Sequence, residues 1–312
     1  MAKKRHIRFV DLFCGIGGFH VAISKAAQKH NLASKAVFAS DIDTECQKAY
    51  TENFGHKPKG DIMKIKESEI PDHDILLAGF PCQPFSIIGK MKGFQDTRGT
   101  LFFDIARILA EKKPKAFVLE NVKLLVGHDE GRTLTKILNT LKDLGYYVEY
   151  KVLNSLHYGL PHKRERIWIV GFLEKKKFSF PEGGQKMKPL SSILEKNVPS
   201  SFTASEMIRA KRLKKYKPSV DTDLIWHENK AGSVSAYPYS CALRAGASYN
   251  YLLVNGKRRL TPREMLRLQG FPDSYKIVCN DSQTRKQAGN SLPVNVALAV
   301  LDQVISNIKT QL

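Results

Sequence analysis

The chain has 312 residues, of which 42% are hydrophobic, so it is long enough for one large and one small domain and can bury a substantial core. Fifty lysines and arginines stand against 30 aspartates and glutamates, and the formal net charge of +20 favours a polyanionic partner, nucleic acid before an anionic membrane. There is no apolar run of about 18 residues and no apolar stretch near the N-terminus, which predicts a cytoplasmic protein with no membrane partner.

The five cysteines are odd in number and widely spaced, and no two form a Cys-x-x-Cys pair. This spacing argues against a disulfide framework and against a structural zinc site, so no metal is expected. At least one thiol is free by arithmetic.

Residues 1–172 alternate between short apolar strands and helices. Strands are predicted at residues 7–13, 35–39, 74–78, 115–119 and 166–171, with helices from Phe19 to about Gln28 and beyond Asp43. Short apolar strands separated by helices predict an α/β fold with a doubly wound, mostly parallel sheet.

The alternation ends after Phe172, where a lysine-rich segment containing Pro, Gly and Ser extends to about Asp223. Its two basic tracts, 175–177 and 211–215, are interpreted as solvated faces or phosphate contacts. Beyond the segment, the sequence predicts short strands at 237–244 and 249–256 and helices from Pro262 and over 294–308. We therefore expect a large domain of residues 1–172 and 288–312 and a small domain of residues 173–287.

The turn after the first strand, Asp11-Leu-Phe-Cys-Gly-Ile-Gly-Gly18, lies where doubly wound folds bind adenosine-containing cofactors. It lacks the third glycine of Gly-x-Gly-x-x-Gly, which weakens an NAD interpretation because that pattern brings the backbone close to a pyrophosphate. Asp41, at the end of the second strand, can accept from ribose hydroxyls. Asp61, after a third candidate strand region, can bind an adenine amino group, although acids at such ends are more often caps. Together the set favours S-adenosylmethionine; Phe13 could stack on the adenine or belong to the core.

Cys82 follows Pro81 directly after the apolar run 75–78. Because proline fixes its own φ, it presents the neighbouring thiol in a set direction, as a nucleophile requires. The glycine-bearing loop 89–99 comes next, and long loops of this kind often act as lids.

A carboxylate and two arginines follow at the ends of later strands. Glu120 ends one strand, and Arg164 and Arg166 alternate before another, so the two arginines point the same way if the chain is extended. Thiol, carboxylate and arginines can therefore converge on one cleft.

Five sequence blocks carry a family resemblance that spans residues 9–296: Asp11-Leu-Phe-Cys-Gly-Ile-Gly-Gly18, Gly79-Phe-Pro-Cys-Gln-Pro-Phe-Ser86, Glu120-Asn-Val122, Arg164-Glu-Arg166 and Gln287-Ala-Gly-Asn-Ser-Leu292. In this order they resemble the bacterial DNA (cytosine-5)-methyltransferases, especially the compact enzymes of restriction–modification systems. Residues 259–273 also resemble the block that follows the family's target-recognition region.

The resemblance implies an S-adenosylmethionine-dependent methyltransferase fold with a catalytic, cofactor-binding domain (1–172 and 288–312) and a target-recognition domain (173–287). It implies methyl transfer to C5 of a flipped-out cytosine in a short duplex DNA sequence, through a covalent bond between Cys82 and C6. Glu120 would act at N3, while Arg166 and Arg164 would bind O2 and hold Glu120. The implied partners are double-stranded DNA and, functionally, a cognate restriction endonuclease; a monomer is expected.

The resemblance also assigns residues to the cofactor and to DNA. Cofactor contacts are implied for Phe13, Gly15, Gly17, Gly18, Asp41, Ile42, Asp61, Ile62, Pro81, Leu101, Asn290 and Ser291. DNA contacts are implied for Ser86, Lys90, Arg98 and Arg244.

Three positions depart from the family pattern. Ile88 replaces a small polar residue, His162 replaces a frequent glutamine, and Ala242-Leu243 replaces Thr-Leu, so Arg244 is open to a base or a phosphate contact. The alternatives are a tRNA cytosine-5 methyltransferase, a non-catalytic DNA-binding regulator on the same scaffold and, more distantly, an NAD-linked oxidoreductase. The intact Cys82 and Glu120 argue against the regulator.

Overall fold

The computed structural model describes residues 5–81, 101–217 and 222–312 and divides into two compact units. The first unit comprises Met1–Leu153, Glu165–Glu182 and Val296–Leu312, and the second comprises Asn154–Arg164 and Gly183–Asn295. The assignment of catalysis to residues 1–172 and 288–312, and of target recognition to residues 173–287, stays a prediction.

A six-stranded sheet forms the centre of the first unit. Its strands are β1 (His6–Leu12), β2 (Ala33–Ser40), β3 (Ile75–Gly79), β4 (Ala116–Val122), β5 (Tyr147–Asn154) and β7 (Glu165–Phe172), in the spatial order β2-β1-β3-β4-β7-β5. The strands from β2 to β4 in this order are parallel, and β7 runs antiparallel to β4. The predicted α/β fold with a mostly parallel sheet is confirmed.

Helices cover both faces of this sheet. Successive strand residues point to opposite sides, so apolar side chains on either side are buried under a helix. The helices are α1 (Gly18–Lys29), α2 (Thr44–Phe54), α3 (Leu101–Lys112), α4 (Arg132–Asp143) and α8 (Val294–Ile308). On one face, Leu76, Phe117 and Ile167 share a core cluster with residues of α3 and α4. On the other face, the ring of Trp168 meets Phe19 of α1 edge-on, with 6.0 Å between centroids. Two-sided burial explains why the central strands are mostly apolar on both faces.

The carboxyl ends of four neighbouring parallel strands lie at one edge of the sheet, where doubly wound folds bind their ligands. There β1 leads into the glycine turn, β2 into Asp41 and β3 into the segment that reaches Cys82, while β4 carries Glu120. The fold thus brings the glycine turn, Asp41 and Glu120 to a common edge of the sheet.

The second unit is built from short strands and helices. Strand β8 (Ile225–Glu228) pairs in antiparallel fashion with β9 (Val234–Tyr237) and β11 (Leu252–Val254), and β6 (His162–Lys163) pairs in parallel with β10 (Ser240–Cys241). The helices are α5 (Glu206–Lys215), α6 (Pro262–Leu268) and α7 (Asp281–Asn290). Helix α6 begins at Pro262, as the proline predicts, and Thr261 and Glu264 form a capping box at its start.

Several local predictions were incomplete or wrong, among them the strand at 237–244, where the structure has only the end of β9 at Tyr237 and the two residues of β10. Strand β5 was missed because it is the sheet edge and most of its residues keep some exposure, which leaves no apolar run. The region before Asp61 is not a strand, and a single bridge joins Lys59 to Ser40. The tract 211–215 lies on α5 and is not wholly solvated, because Arg212 is 1% exposed and donates to the carbonyl of Trp226.

Among the described residues, no single helix is long and apolar enough to cross a membrane; only the bent pair of Asp281–Asn290 and Val294–Gln311 meets that test together. Within the described part of the chain, Cys14, Cys46, Cys241 and Cys279 form no disulfide bond.

Candidate active site

The carboxylate of Asp41, at the end of β2, holds the glycine turn that follows β1. The backbone N–H of Gly15 donates to Oδ2 of Asp41 at 2.7 Å, and that of Asp43 donates to Oδ1 at 2.8 Å. Phe13, Gly15 and Gly17 have φ angles of 55°, 52° and 80°, in the left-handed region that glycine adopts without strain. The glycine turn and the acid singled out from the sequence therefore meet at the carboxyl edge of the sheet.

This turn has features that fit the cofactor implied by the sequence. A Cβ placed on Gly15 would meet no atom within 4 Å, so the turn borders open space. Asp11 is fully buried at the end of β1, and within the described part of the chain neither of its carboxylate oxygens has a hydrogen-bond partner. Burial first, and then the charge of Asp41, raise the pKa of Asp11 well above its usual range. A buried carboxyl of this kind suits a ligand that brings hydrogen-bond donors, such as the amino group of S-adenosylmethionine.

The other predicted cofactor residues of the first unit differ in exposure. Ile42 is 73% exposed and available to a ligand, whereas Ile62 is a core residue and Phe13 packs against the same core. Asp61 caps a 3-10 turn by accepting the N–H of Met63 at 3.0 Å, the common role for an acid in such a position. Gly18 is buried at the start of α1, Pro81 is exposed, and Leu101 is half-buried at the start of α3.

Glu120 and Arg166 form a largely buried ion pair on adjacent strands. Glu120 lies opposite Trp168 in the β4–β7 register and Arg166 lies opposite Val122, so the two are diagonal neighbours on one face. Nε of Arg166 is 2.9 Å from Oε1 of Glu120, and the two side chains are 14% and 11% exposed. Because both charges are mostly withdrawn from water, the pair fixes the position of the carboxyl group.

The backbone that leads to Cys82 runs beside this carboxylate. Gly79 pairs with Glu120 in the β3–β4 register, and a Cβ on Gly79 would lie 3.7 Å from Oε2 of Glu120. The buried amide of Asn121 donates to the carbonyl of Phe80 at 3.0 Å, which ties this backbone to β4. Cys82 itself lies outside the described residues, as do the predicted DNA contacts Ser86, Lys90 and Arg98.

Arg164 has different partners from Arg166, although the sequence suggested that they act together. Its guanidinium is buried and donates to three backbone carbonyls of the second unit, those of Leu243, Gly289 and Ser291, at 3.0, 3.1 and 2.5 Å. Arg164 lies in the break between β6, which ends at Lys163, and β7, which begins at Glu165, so the alternation of an extended strand does not apply to it. These contacts indicate that Arg164 positions backbone segments of its own unit.

Two predicted cofactor residues, Asn290 and Ser291, lie at the end of α7 in the second unit. Asn290 is exposed, and Ser291 is half-buried with its carbonyl also accepting from Nε2 of Gln269 at 3.1 Å. Gln269 donates to the carbonyl of Ala288 at 2.6 Å as well. Buried donors thus fix the backbone of this block, and its contact with a cofactor stays a prediction.

The structure adds residues to which the sequence gave no role. A charged residue inside an apolar strand was the available signal for Asp11. Asn121 belongs to the block Glu120-Asn-Val122, but nothing in the sequence indicated its partner Phe80, 41 residues away. No sequence signal pointed to Tyr251, whose ring contacts the predicted DNA residue Arg244.

Comparison with known sequences agrees with this geometry. Residues 7–306 match the family described as C-5 cytosine-specific DNA methylase. The Type II methyltransferase M.NgoBI of Neisseria gonorrhoeae is 57% identical over 289 residues, which cover 92% of this chain and 89% of that protein. M.HaeII of Haemophilus aegyptius, also a Type II methyltransferase, is 54% identical over 306 residues, covering 97% and 94%.

Solved structures share the fold at lower identity. The Schizosaccharomyces pombe (S. pombe) Dnmt2 methyltransferase has a TM-score of 0.71 and 20% identity, with 97% of this chain and 99% of that chain covered. The Entamoeba histolytica methyltransferase EhMeth has a TM-score of 0.72 and 19% identity, with the same coverage of 97% and 99%. At these identities the likeness concerns the fold alone.

Proposed function

Because the chain belongs to the C-5 cytosine-specific DNA methylase family, we propose that it transfers a methyl group from S-adenosylmethionine to C5 of one cytosine in a specific short duplex DNA sequence. The likeness to Type II methyltransferases supports a role as the modification enzyme of a restriction–modification system, alongside a cognate endonuclease. The observation that carries the chemistry is the Glu120–Arg166 pair beside the strand that leads to Cys82.

Cysteine addition solves the main chemical difficulty of this reaction. C5 of cytosine is a poor nucleophile, and a thiolate of Cys82 that adds to C6 makes C5 enamine-like. When bound, S-adenosylmethionine would supply an electrophilic methyl group: the enamine pair between C4 and C5 would form the new bond from C5, the bond from methyl to sulfonium would break, and S-adenosylhomocysteine would leave. Loss of the C5 proton to a base and of the Cys82 thiolate from C6 restores the aromatic ring and the free enzyme.

Glu120 and Arg166 are suited to the charge that this addition creates on the ring. Attack at C6 moves negative charge onto N3 and O2, where preorganised donors lower the barrier. Oε1 of Glu120 is 2.9 Å from Nε of Arg166, and Oε2 lies on the side of Gly79, next to the segment that carries Cys82. We assign Glu120 to N3, where it must carry a proton, or share one with the ring, in order to donate, and we assign Arg166 to O2 and to the orientation of Glu120.

The target cytosine has to leave the duplex for this chemistry, because C6 is approached from above the ring. Flipping the base out costs a few kcal/mol of stacking and pairing, which contacts to the flipped base and its backbone offset. The net charge of +20 supplies the attraction to phosphates that such an enzyme needs.

Covalent trapping tests the nucleophile directly. The purified protein is incubated with S-adenosylmethionine and duplexes that contain 5-fluorocytosine, whose C5 substituent cannot leave as a proton. We expect a denaturation-resistant protein–DNA adduct with the wild type, none with Cys82→Ala, and an undiminished yield with Cys279→Ala, a matched loss of a half-buried thiol that forms no disulfide. An adduct that survives Cys82→Ala would defeat the proposed nucleophile.

A substrate comparison separates this function from the tRNA alternative. Transfer of labelled methyl groups from S-adenosylmethionine is measured to duplex DNA and to tRNA at equal nucleotide concentration. Labelling of tRNA alone would contradict a DNA enzyme. Bisulfite sequencing of the methylated DNA then gives the recognition sequence and the cytosine that is modified.

A further inference from the structure

Two arginines stack on tyrosine rings at the surface of the second unit. Cζ of Arg244 lies 4.8 Å from the ring centroid of Tyr251, and Cζ of Arg285 lies 4.3 Å from that of Tyr249. All four residues line one surface pocket whose remaining wall is apolar. The methyl-transfer chemistry proposed above makes no use of this pocket, so its charged and aromatic lining needs a separate explanation.

The two guanidinium groups differ in what they bind. The guanidinium of Arg285 donates to the carbonyls of Ala247 and Ser248, the latter at 2.8 Å, and so it stabilises the loop that contains these two residues. The side chain of Arg244 is exposed, and among the described residues it makes no hydrogen bond and no ion pair. Its N–H donors are therefore available to a ligand, while the guanidinium keeps a cation–π contact with the ring of Tyr251.

Hydrogen bonds fix the backbone beneath Arg244. The N–H of Arg244 donates to the hydroxyl of Tyr251 at 3.0 Å, so one tyrosine supports both the main chain and the side chain. The N–H of Leu243 donates to Nε2 of His162 at 3.2 Å, and the carbonyl of Leu243 accepts from Nη1 of Arg164 at 3.0 Å. Buried side chains thus hold this short segment in place.

A close approach of α7 adds a steric restraint. A Cβ placed on Gly289 would lie 2.5 Å from the backbone nitrogen of Ala245 and 2.9 Å from the carbonyl carbon of Arg244. Only glycine fits at this point, and the segment cannot shift toward the helix. Arg244 accordingly projects from a preorganised backbone.

We propose that Arg244 is a specificity-determining residue, which binds a guanine of the recognition sequence through O6 and N7 in the major groove. The inference rests on the proposed function as a DNA methyltransferase. A guanidinium with available N–H donors, projecting from a backbone that hydrogen bonds restrain, suits the bidentate geometry of guanine, the commonest specific arginine contact with DNA. A contact with a phosphate does not require the guanidinium to point in one direction, because phosphate contacts position a protein on DNA and carry no sequence information.

The test compares sequence preference in the full-length protein and three variants, Arg244→Gln, Arg244→Lys and Lys230→Gln. Lys230 is exposed in the same unit and gives a matched loss of one positive charge. Each protein methylates a library of randomised duplexes, and bisulfite sequencing gives the preference at every position. We expect Arg244→Gln to lose about tenfold to a hundredfold of its discrimination for guanine at one position. Arg244→Lys should lose less, and Lys230→Gln should keep the wild-type preference.

Replacing that guanine by 7-deazaguanine isolates the contact at N7. The substitution should slow the wild type and have little further effect on Arg244→Gln, because the interacting partner is already gone. If Arg244→Gln is folded by circular dichroism but too slow to sequence its products, competition binding of the same library measures its preference instead.

A phosphate contact would give a different result and overturn the proposal. Arg244→Gln would then weaken binding equally on all sequences, and the slope of log K against log salt would fall by about 1. A wild-type protein that methylates no duplex would refute the proposed function itself. If Arg244→Gln keeps the sequence preference of the wild type, the role of Arg244 in specificity is refuted but the proposed function is not.

Discussion

Gly17→Ala is expected to destabilise the protein far more than Gly15→Ala, although both glycines have φ in the left-handed region. A Cβ on Gly17 would lie 2.7 Å from Cζ of Phe54 and closer still to Cε2, whereas one on Gly15 would meet nothing within 4 Å. The ring of Phe54 cannot move aside freely. It stacks on His20 with 4.0 Å between centroids and an angle of 11°, and it lies 4.7 Å from the ring of Tyr50.

The magnitude follows from two separate costs. Alanine in the left-handed region costs about 1–2 kcal/mol, and this cost applies to both variants. An extra carbon forced into a packed cluster adds about 1–3 kcal/mol, and this cost applies to Gly17 alone. The free energy of unfolding should therefore fall by about 2–5 kcal/mol in Gly17→Ala and by about 1–2 kcal/mol in Gly15→Ala.

Equilibrium unfolding in urea measures both losses from the shift in midpoint at a constant slope. Phe54→Leu provides an internal check, because it removes the ring that the new Cβ would strike. The double variant Gly17→Ala/Phe54→Leu should lose less stability than the sum of the two single variants. Equal losses for the two glycine variants, or strictly additive losses in the double variant, would refute the clash.

Two other predictions concern buried carboxylates. Glu120→Gln keeps the side-chain volume but cannot donate an acid proton, so single-turnover methyl transfer should slow by about 10²–10⁴-fold. The control is Glu165→Gln, at a half-exposed carboxylate paired with Lys123, and its rate should stay near that of the wild type. Equal rates for the two variants would show that Glu120 takes no part in the chemistry. Burial alone would raise the pKa of Asp74, but hydrogen bonds from Lys115 and Arg8 outweigh it and hold that pKa below its usual range. These hydrogen bonds stabilise the folded state fully above about pH 4, the pKa of Asp74 in the unfolded chain. The stabilisation is lost as the pH falls through the lower pKa of Asp74 in the folded protein. Asp74→Asn should thus cost about 1–3 kcal/mol at pH 7 and progressively less in acid, and a pH-independent difference in urea midpoints would contradict this assignment.

Elements buried on both faces were predictable from the sequence, and elements at the margin were not. The strands that became β1, β3 and β4 are mostly apolar because helices cover the sheet on both sides. The helix over 294–308 was predicted with the bounds of α8. Strand β5 lies at the sheet edge, where partial exposure removes the apolar signal. The region before Asp61 meets the sheet through one bridge at Lys59, and a single pairing leaves no periodicity to detect.

The motif blocks located the candidate site, but the division of labour inside a block depended on partners that no motif encodes. Arg164 and Arg166 stand two positions apart and look equivalent in the sequence. Arg166 meets Glu120 because a diagonal pair on two antiparallel strands is close, whereas the carbonyl partners of Arg164 are 79, 125 and 127 residues away. A carbonyl belongs to every residue type, so only the fold determines which ones a buried arginine binds. One of those carbonyls belongs to Leu243, the residue just before Arg244. We therefore assign the two arginines different tasks: Arg166 orients the proposed acid Glu120, and Arg164 fixes the backbone from which the proposed specificity residue Arg244 projects.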